Sequence, residues 1–121
     1  MLKLKTKWFH KWAKKNSISD NILLETIKSL INNLNVVNLG GGLYKVRTPG
    51  FGKGKSGGYR TLVAYEELDK AIFVFGFSKA EKDNLDEDEL RSFKKLAKDL
   101  LQISTKEYLR LVELGHFFNL E

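Results

Sequence analysis

Cations and glycines crowd into one stretch, Leu39 to Arg60, which reads LGGGLYKVRTPGFGKGKSGGYR. It holds eight of the ten glycines, the only proline and five basic residues, Lys45, Arg47, Lys53, Lys55 and Arg60, with no acid. Ordering such a segment is costly, because glycine loses the most backbone freedom on folding and clustered cations repel one another. A stability role alone explains it poorly. Glycines let a backbone come close to a ligand, a cluster of cations without acids requires an anion opposite it, and phosphate is the natural candidate.

If Leu43 to Arg47 is a strand, Tyr44 and Val46 point one way, while Leu43, Lys45 and Arg47 point the other. Arg60 then opens a second strand and Lys79 follows a third. Neighbouring strands lie about 5 Å apart, so the cations can converge on one edge of a sheet. Lys45, Arg47, Arg60 and Lys79 are the candidate catalytic residues, and Lys53, Lys55, Tyr59 and Lys82 the candidate nucleic-acid contacts. Such a cluster can hold a phosphodiester, and it can also cleave RNA. Cleavage needs a base for the 2′-hydroxyl, charge stabilisation at the crowded phosphate and an acid for the leaving oxygen. A lysine among other cations can serve as the base, whereas arginine stays charged and suits the transition state. Histidine is not required. The alternative reading is that these side chains only position a nucleic-acid backbone.

The elements that must position this cluster follow from periodicity. Trp8, Phe9, Trp12 and Ala13 put three aromatics on one side of a short helix, where core anchoring is a better reading than base stacking. Ser17 to Asp20 reads as a helix start. The helix from Asp20 to about Leu34 carries Leu23, Ile27, Leu30, Ile31 and Leu34 on one stripe and ends among Asn32, Asn33 and Asn35. Beyond the glycines, Tyr59 to Tyr65 and Ala71 to Ser78 are further strands, the latter apolar enough for the centre of a sheet, joined by the short polar segment Glu66 to Lys70. Asp86 to Glu89 places four acids at a helix amino terminus, followed by an apolar stripe of Leu90, Phe93, Leu96, Ala97, Leu100 and Leu101. Ser104 to Glu107 matches a capping box for a last helix, which Gly115 would end. The apolar tail, Phe117, Phe118 and Leu120, must dock on the domain or on a partner. The expected fold is α+β: an antiparallel sheet of three or four strands, with two amino-terminal helices and carboxy-terminal helices packed on it.

The length of 121 residues gives one domain over the whole chain, and 42% apolar with 12% aromatic residues make it globular. There is no cysteine, hence no disulfide scaffold and no cysteine-ligated zinc. The lysine-rich start, MLKLKTKWFHKWAKK, has no signal-peptide hydrophobic region, and no apolar run is long enough to span a bilayer, so the expectation is a cytoplasmic protein away from membranes. Charge is uneven. Residues 1–60 carry 12 Lys or Arg against 2 Asp or Glu, and residues 61–121 carry 9 against 13, within a net charge of +6. That asymmetry suggests a positive face aimed at a polyanion.

Two familiar motifs fail on their context. Gly54-Lys55-Ser56 resembles the end of a phosphate-binding P-loop, but Pro49 stands where the first glycine is needed. Gly52 to Gly57 fits G-x-G-x-x-G, yet it leads into a strand and lacks the helix amino terminus that would hold a pyrophosphate. His10 and His116 share no metal-ligand spacing with each other or with a carboxylate pair, and both read as surface or packing histidines.

The segment LGGGLYKVRTPGFGKGKSGGYRTL, then FVFGFSKAEKDNLDEDEL, then a final helix opening with Ser-x-x-Glu, resembles the RelE/ParE superfamily of toxins from type II toxin–antitoxin modules. The RelE and HigB-like branch is nearest, and the pattern covers nearly the whole chain. The resemblance implies an endoribonuclease that works without metal or other cofactor. It would cut mRNA in the ribosomal A site and be held inactive by a cognate antitoxin, expected to be a helix-turn-helix DNA-binding protein. It implies roles near the scissile phosphate for Lys45 and Arg47, a phosphate-stabilising arginine at Arg60, and the lysine after the last strand at Lys79. Two positions depart from RelE: Ala80 replaces an arginine, and Asp86 replaces a tyrosine that helps cleavage. The general acid is therefore left open, with Lys53 and Lys55 as substitutes. Two other readings compete: a ParE-like inhibitor of DNA gyrase that performs no chemistry, and an RNA-binding module without cleavage. Antitoxins of this superfamily cover the basic face or displace a carboxy-terminal helix.

Overall fold

The computed structural model describes residues 1–49, 58–82 and 84–120. Its centre is a strand that alternates between two cores. This strand, β5 (Lys70–Ser78), is apolar along most of its length, because both faces of the sheet are covered there. Antiparallel to it runs β4 (Tyr59–Glu66), then β3 (Leu43–Thr48), then the edge strand β2 (Val36–Gly40). On its other side lies β1 (Leu2–Thr6), parallel to β5, and outside that the short β6 (Phe117–Asn119). The sheet order among the described residues is β2-β3-β4-β5-β1-β6.

The expected class, α+β with a mostly antiparallel sheet, is what the structure shows, but six strands replace the expected three or four. Three were missed for identifiable reasons. The Leu-Lys alternation of β1 is a period-two pattern masked by its lysines, one of which, Lys5, is buried and paired with Asp20 at 2.7 Å. β2 is a short edge strand ending in glycine. β6 is the apolar tail, which docks on the domain itself: Phe118 pairs in register with Lys5, and the Leu120 N–H donates to the Lys3 carbonyl.

Helices cover both faces. α1 (Lys7–Lys15) and α2 (Asp20–Ile31) bury Phe9, Leu23, Ile27 and Leu30 against Val46, Val63 and Phe73. α3 (Glu87–Gln102) and α4 (Thr105–Glu113) bury Ala97, Leu100 and Tyr108 against Leu4, Leu43, Leu62 and Ile72 on the opposite face. Helix starts are set by side-chain oxygens that accept from orphan N–H groups: Thr6 from Phe9, Ser19 from Ile22, Asp86 from Glu89 and Ser104 from Glu107. Buried Lys70 serves the other end of α3, donating to the carbonyls of Leu101 and Ile103 at 3.2 and 3.0 Å.

Several expected core positions lie elsewhere. α2 ends at Ile31, three residues before the expected Leu34, and Asn33 and Asn35 take positive φ (56° and 58°) in the turn that follows. Ile31 and Leu34 are exposed. Of the amino-terminal aromatics, Phe9 is buried and Trp12 packs against it, but Trp8 is 47% exposed. Gly40, Gly41 and Gly42 lie away from Lys45 and Arg47. They form the β2–β3 turn at the far end of the hairpin, where Gly42 takes φ +86° and leaves no room for a Cβ beside Leu101 of α3.

Register contains one irregularity that matters. Leu62 pairs with Phe75, but Val63 pairs with Phe73, so Val74 is an extra residue in β5. The bulge resets the alternation and turns Phe75 and Phe77 toward the α3 face. Just beyond it, Gly76 lies under the indole of Trp12, where any added Cβ would overlap the ring. Gly76→Ala is therefore expected to destabilise the fold by about 1–3 kcal/mol by overpacking. The check is a urea midpoint together with loss of the near-ultraviolet tryptophan signal; an unchanged midpoint would contradict this packing.

Candidate nucleic-acid interface

The β3–β4 ladder decides where the cations stand. Arg47 pairs directly with Arg60, and Arg60 in turn with Phe77; one row along, Lys45 pairs with Leu62 and Leu62 with Phe75. Lys45, Arg47 and Arg60 thus share the sheet face that carries Leu62 toward α3, beyond the part that α3 covers. They line one cavity of about 320 Å³, whose wall is completed by Asn35, Val36 and Val37 from the start of β2. Directly opposed residues on an antiparallel pair have Cα atoms about 4.5–5.5 Å apart, so the two guanidinium stems start as close neighbours, and like charges so placed are destabilising. Among the described residues neither Lys45 nor Arg47 is in an ion pair. The Arg60 guanidinium donates to the Tyr59 carbonyl at 3.4 Å, and the Lys45 ammonium to Asn84 Oδ1 at 2.9 Å. An anion seated between Arg47 and Arg60 would relieve their repulsion and accept in-plane hydrogen bonds from both.

Behind this row, on the opposite face, hydroxyls fix the register. Thr48 and Thr61 share a hydrogen bond of 3.1 Å, Thr26 of α2 reaches Thr48 at 3.2 Å, and Thr26 donates to the Ile22 carbonyl. Thr26, Thr48 and Thr61 are all buried, so the network is held in a low-dielectric setting where slippage would strand polar groups. Sequence reading passed over these threonines. Their signal was their place in the strands, Thr48 next to Arg47 and Thr61 next to Arg60.

The remaining candidates separate. Lys79 is exposed in the turn immediately after Ser78, the register partner of Tyr59, and does not line the cavity. Lys82 is drawn into an ion pair with Glu89 at 2.6 Å. Tyr59 points to the other face: it is 8% exposed, its hydroxyl donates to Asn16, and its ring meets Trp12 edge-on. It is part of the core under α1 and is not brought to the cations. Lys53 and Lys55 fall outside the described residues. Asn84, which sequence reading missed, ties the segment after β5 to Lys45. Asp86 is the amino-terminal cap of α3, in a reciprocal box with Glu89, so it acts in folding where the RelE pattern has a tyrosine. Among the described residues no group of three or more His, Asp or Glu is placed to hold a metal ion, and no helix is long and apolar enough to cross a membrane.

With this geometry in view, comparison with known families is decisive at one level. The model of the family described as RelE toxin of the RelE/RelB toxin–antitoxin system matches residues 1–120. The chain belongs to the RelE toxin family. A search of curated proteins gives no match. Membership makes this RelE-family chain the toxin half of a toxin–antitoxin pair and implies a cognate antitoxin.

Glu89 anchors the segment that carries Lys82 and Asn84, and its carboxyl is held below the ordinary glutamate range, first by the Lys82 ammonium and then by the Asp86 N–H. A depressed carboxylate contributes stability above its unfolded pKa and loses it as pH falls through the folded one. Relative to wild type, Glu89→Gln is expected to be less stable at neutral pH, and the gap should close on acidification below the usual glutamate pKa. Urea midpoints of both proteins across that range test this, and parallel profiles would mean the pair anchors nothing.

Proposed function

We propose that this toxin is a ribosome-dependent mRNA endoribonuclease acting in the cytoplasm, neutralised by a helix-turn-helix antitoxin. The observation that carries the reading is the direct register of Arg47 with Arg60 beside Lys45, on one open sheet face around one cavity. A partner-binding inhibitor has little use for two arginines opposed across a ladder. A phosphodiester has an immediate use for them.

In the reaction, a lysine amine removes the proton from the 2′-hydroxyl next to the scissile phosphate. The 2′-oxygen bonds to phosphorus while the bond to the 5′-oxygen breaks, leaving a 2′,3′-cyclic phosphate and a 5′-hydroxyl, the leaving oxygen taking up a proton. Arg47 and Arg60 bind the non-bridging oxygens, whose charge grows in the crowded transition state. Lys45 and Lys79 are the residues proposed for proton movement. The amide of Asn84 accepts from the Lys45 ammonium and orients it. Lys53 and Lys55 are proposed to grip the flanking backbone.

Primer-extension mapping of a translated reporter mRNA, with and without ribosomes, tests this. Wild type is expected to cut at fixed codon positions only with ribosomes present, and Arg60→Ala to cut about 10²–10³-fold more slowly, the usual loss on removing one transition-state donor. Intact mRNA from a protein that still arrests growth would overturn the reading.

A further inference from the structure

β1 covers the edge of β5 only from Lys70 to Phe73. At the Val74 bulge the chain has already turned into α1, and Trp8 stands at the vacated edge. Its indole stacks on Phe75, with ring centroids 4.6 Å apart and planes 26° apart, and lies nearly parallel to Trp12 at 6.1 Å. Even so it remains 47% exposed. Beside it runs an apolar groove of about 390 Å³, lined by Thr6, Trp8, Val74, Phe75, Phe93 and Leu96. An exposed tryptophan over such a groove marks a contact surface.

Charge identifies the class of partner. Residues 1–19 contain six lysines and no acid. Lys7, Lys11, Lys14 and Lys15 are exposed and, among the described residues, in no ion pair. Lys11 and Lys15 stand three and seven positions after Trp8, on its side of the helix. A protein partner would find an aromatic anchor here, but one beside exposed cations of a single sign on α1. A single-stranded nucleic acid uses both features, stacking a base on the ring and placing its phosphates on the lysines. Trp8 and the arginine row are joined through the sheet: Phe75 packs beside Phe77, with centroids 6.1 Å apart, and buried Phe77 is the register partner of Arg60.

We propose that Trp8 is a base-stacking residue for the RNA strand whose phosphate sits between Arg47 and Arg60, with Lys11 and Lys15 holding the adjoining backbone. The inference rests on the RNA reading above and adds a contact on α1.

The test uses the full chain and a single-stranded oligoribonucleotide with methylated 2′-hydroxyls, which binds without being cut, carrying 2-aminopurine to report stacking. Affinities are measured at several salt concentrations for wild type, Trp8→Leu, Trp8→Phe and Arg60→Ala. Trp8→Leu keeps apolar packing on Phe75 but has no ring. It is expected to bind about 5- to 100-fold more weakly, to lose the stacking quench and to keep the wild-type salt slope. Trp8→Phe should stay within a few-fold of wild type. Arg60→Ala should lower the salt slope by about 0.7, one phosphate contact on a single strand. If Trp8→Leu binds and quenches like wild type while Arg60→Ala is weakened, the Trp8 proposal is wrong and the groove belongs to a protein partner. If wild type itself does not bind at low salt, the Trp8 proposal is overturned, whereas the ribosome-dependent reading stands or falls on the primer-extension mapping.

Discussion

Two arginines held opposite each other across a β ladder repel, and much of the structure around β3 and β4 serves to keep them there. The cost of a like-charged cross-strand pair is about 0.2–1 kcal/mol, and each ladder hydrogen bond contributes about 1 kcal/mol net. The ladder from Leu43–Ala64 to Thr48–Tyr59 therefore outweighs the repulsion, provided that it cannot slip. Slippage by one residue would carry Val46 and Val63 out of one core and Leu43 and Leu62 out of the other. The buried Thr26–Thr48–Thr61 hydroxyls lock the same register at the end where the arginines stand. Site geometry and core packing are thus one constraint, and the cations occupy the part of the face that α3 leaves uncovered.

The Val74 bulge does comparable work one strand further on. Regular pairing would turn Phe75 and Phe77 toward α1 and α2, the side that Phe73 already fills. The extra residue sends them instead to the face shared with Arg60 and Leu62, and leaves Gly76 as the surface on which Trp12 lies. β1 pairs with β5 only as far as Phe73, next to the bulge, and Trp8 is exposed just beyond that pairing.

Much of this was legible in the sequence because the signals were periodic. Lys45 and Arg47 were placed on one face by alternation, Asp86 to Glu89 at the start of α3 by charge, and Ser104 at the start of α4 by its spacing to Glu107, whose carboxylate is then used by Arg110 instead of the cap. The misses share a cause, which is that a distant partner decided the outcome. Lys5 looks like a surface residue until Asp20 is brought to it, and that concealed β1. Phe117 to Asn119 are too few for a pattern and become a strand only because β1 offers an edge. Tyr59 sits beside Arg60 in sequence but on the other face in space, where Trp12 and Asn16 claim it. Trp8 and Phe9 are adjacent in sequence and differ almost completely in exposure.

The departures from the RelE pattern can be weighed in the same terms. Asp86 caps α3, Glu89 closes the box and holds Lys82, and Ala80 donates its N–H to the Ser78 hydroxyl in the turn after β5. In this chain the side chains of Asp86 and Glu89 have folding partners at the start of α3, and Ala80 is tied into the preceding turn by its backbone. Under the nuclease reading, proton transfer then falls to Lys45, which donates to Asn84 of that segment, and to Lys79, exposed in the turn after β5. On that reading the arginines supply the charge stabilisation and the lysines the proton transfer.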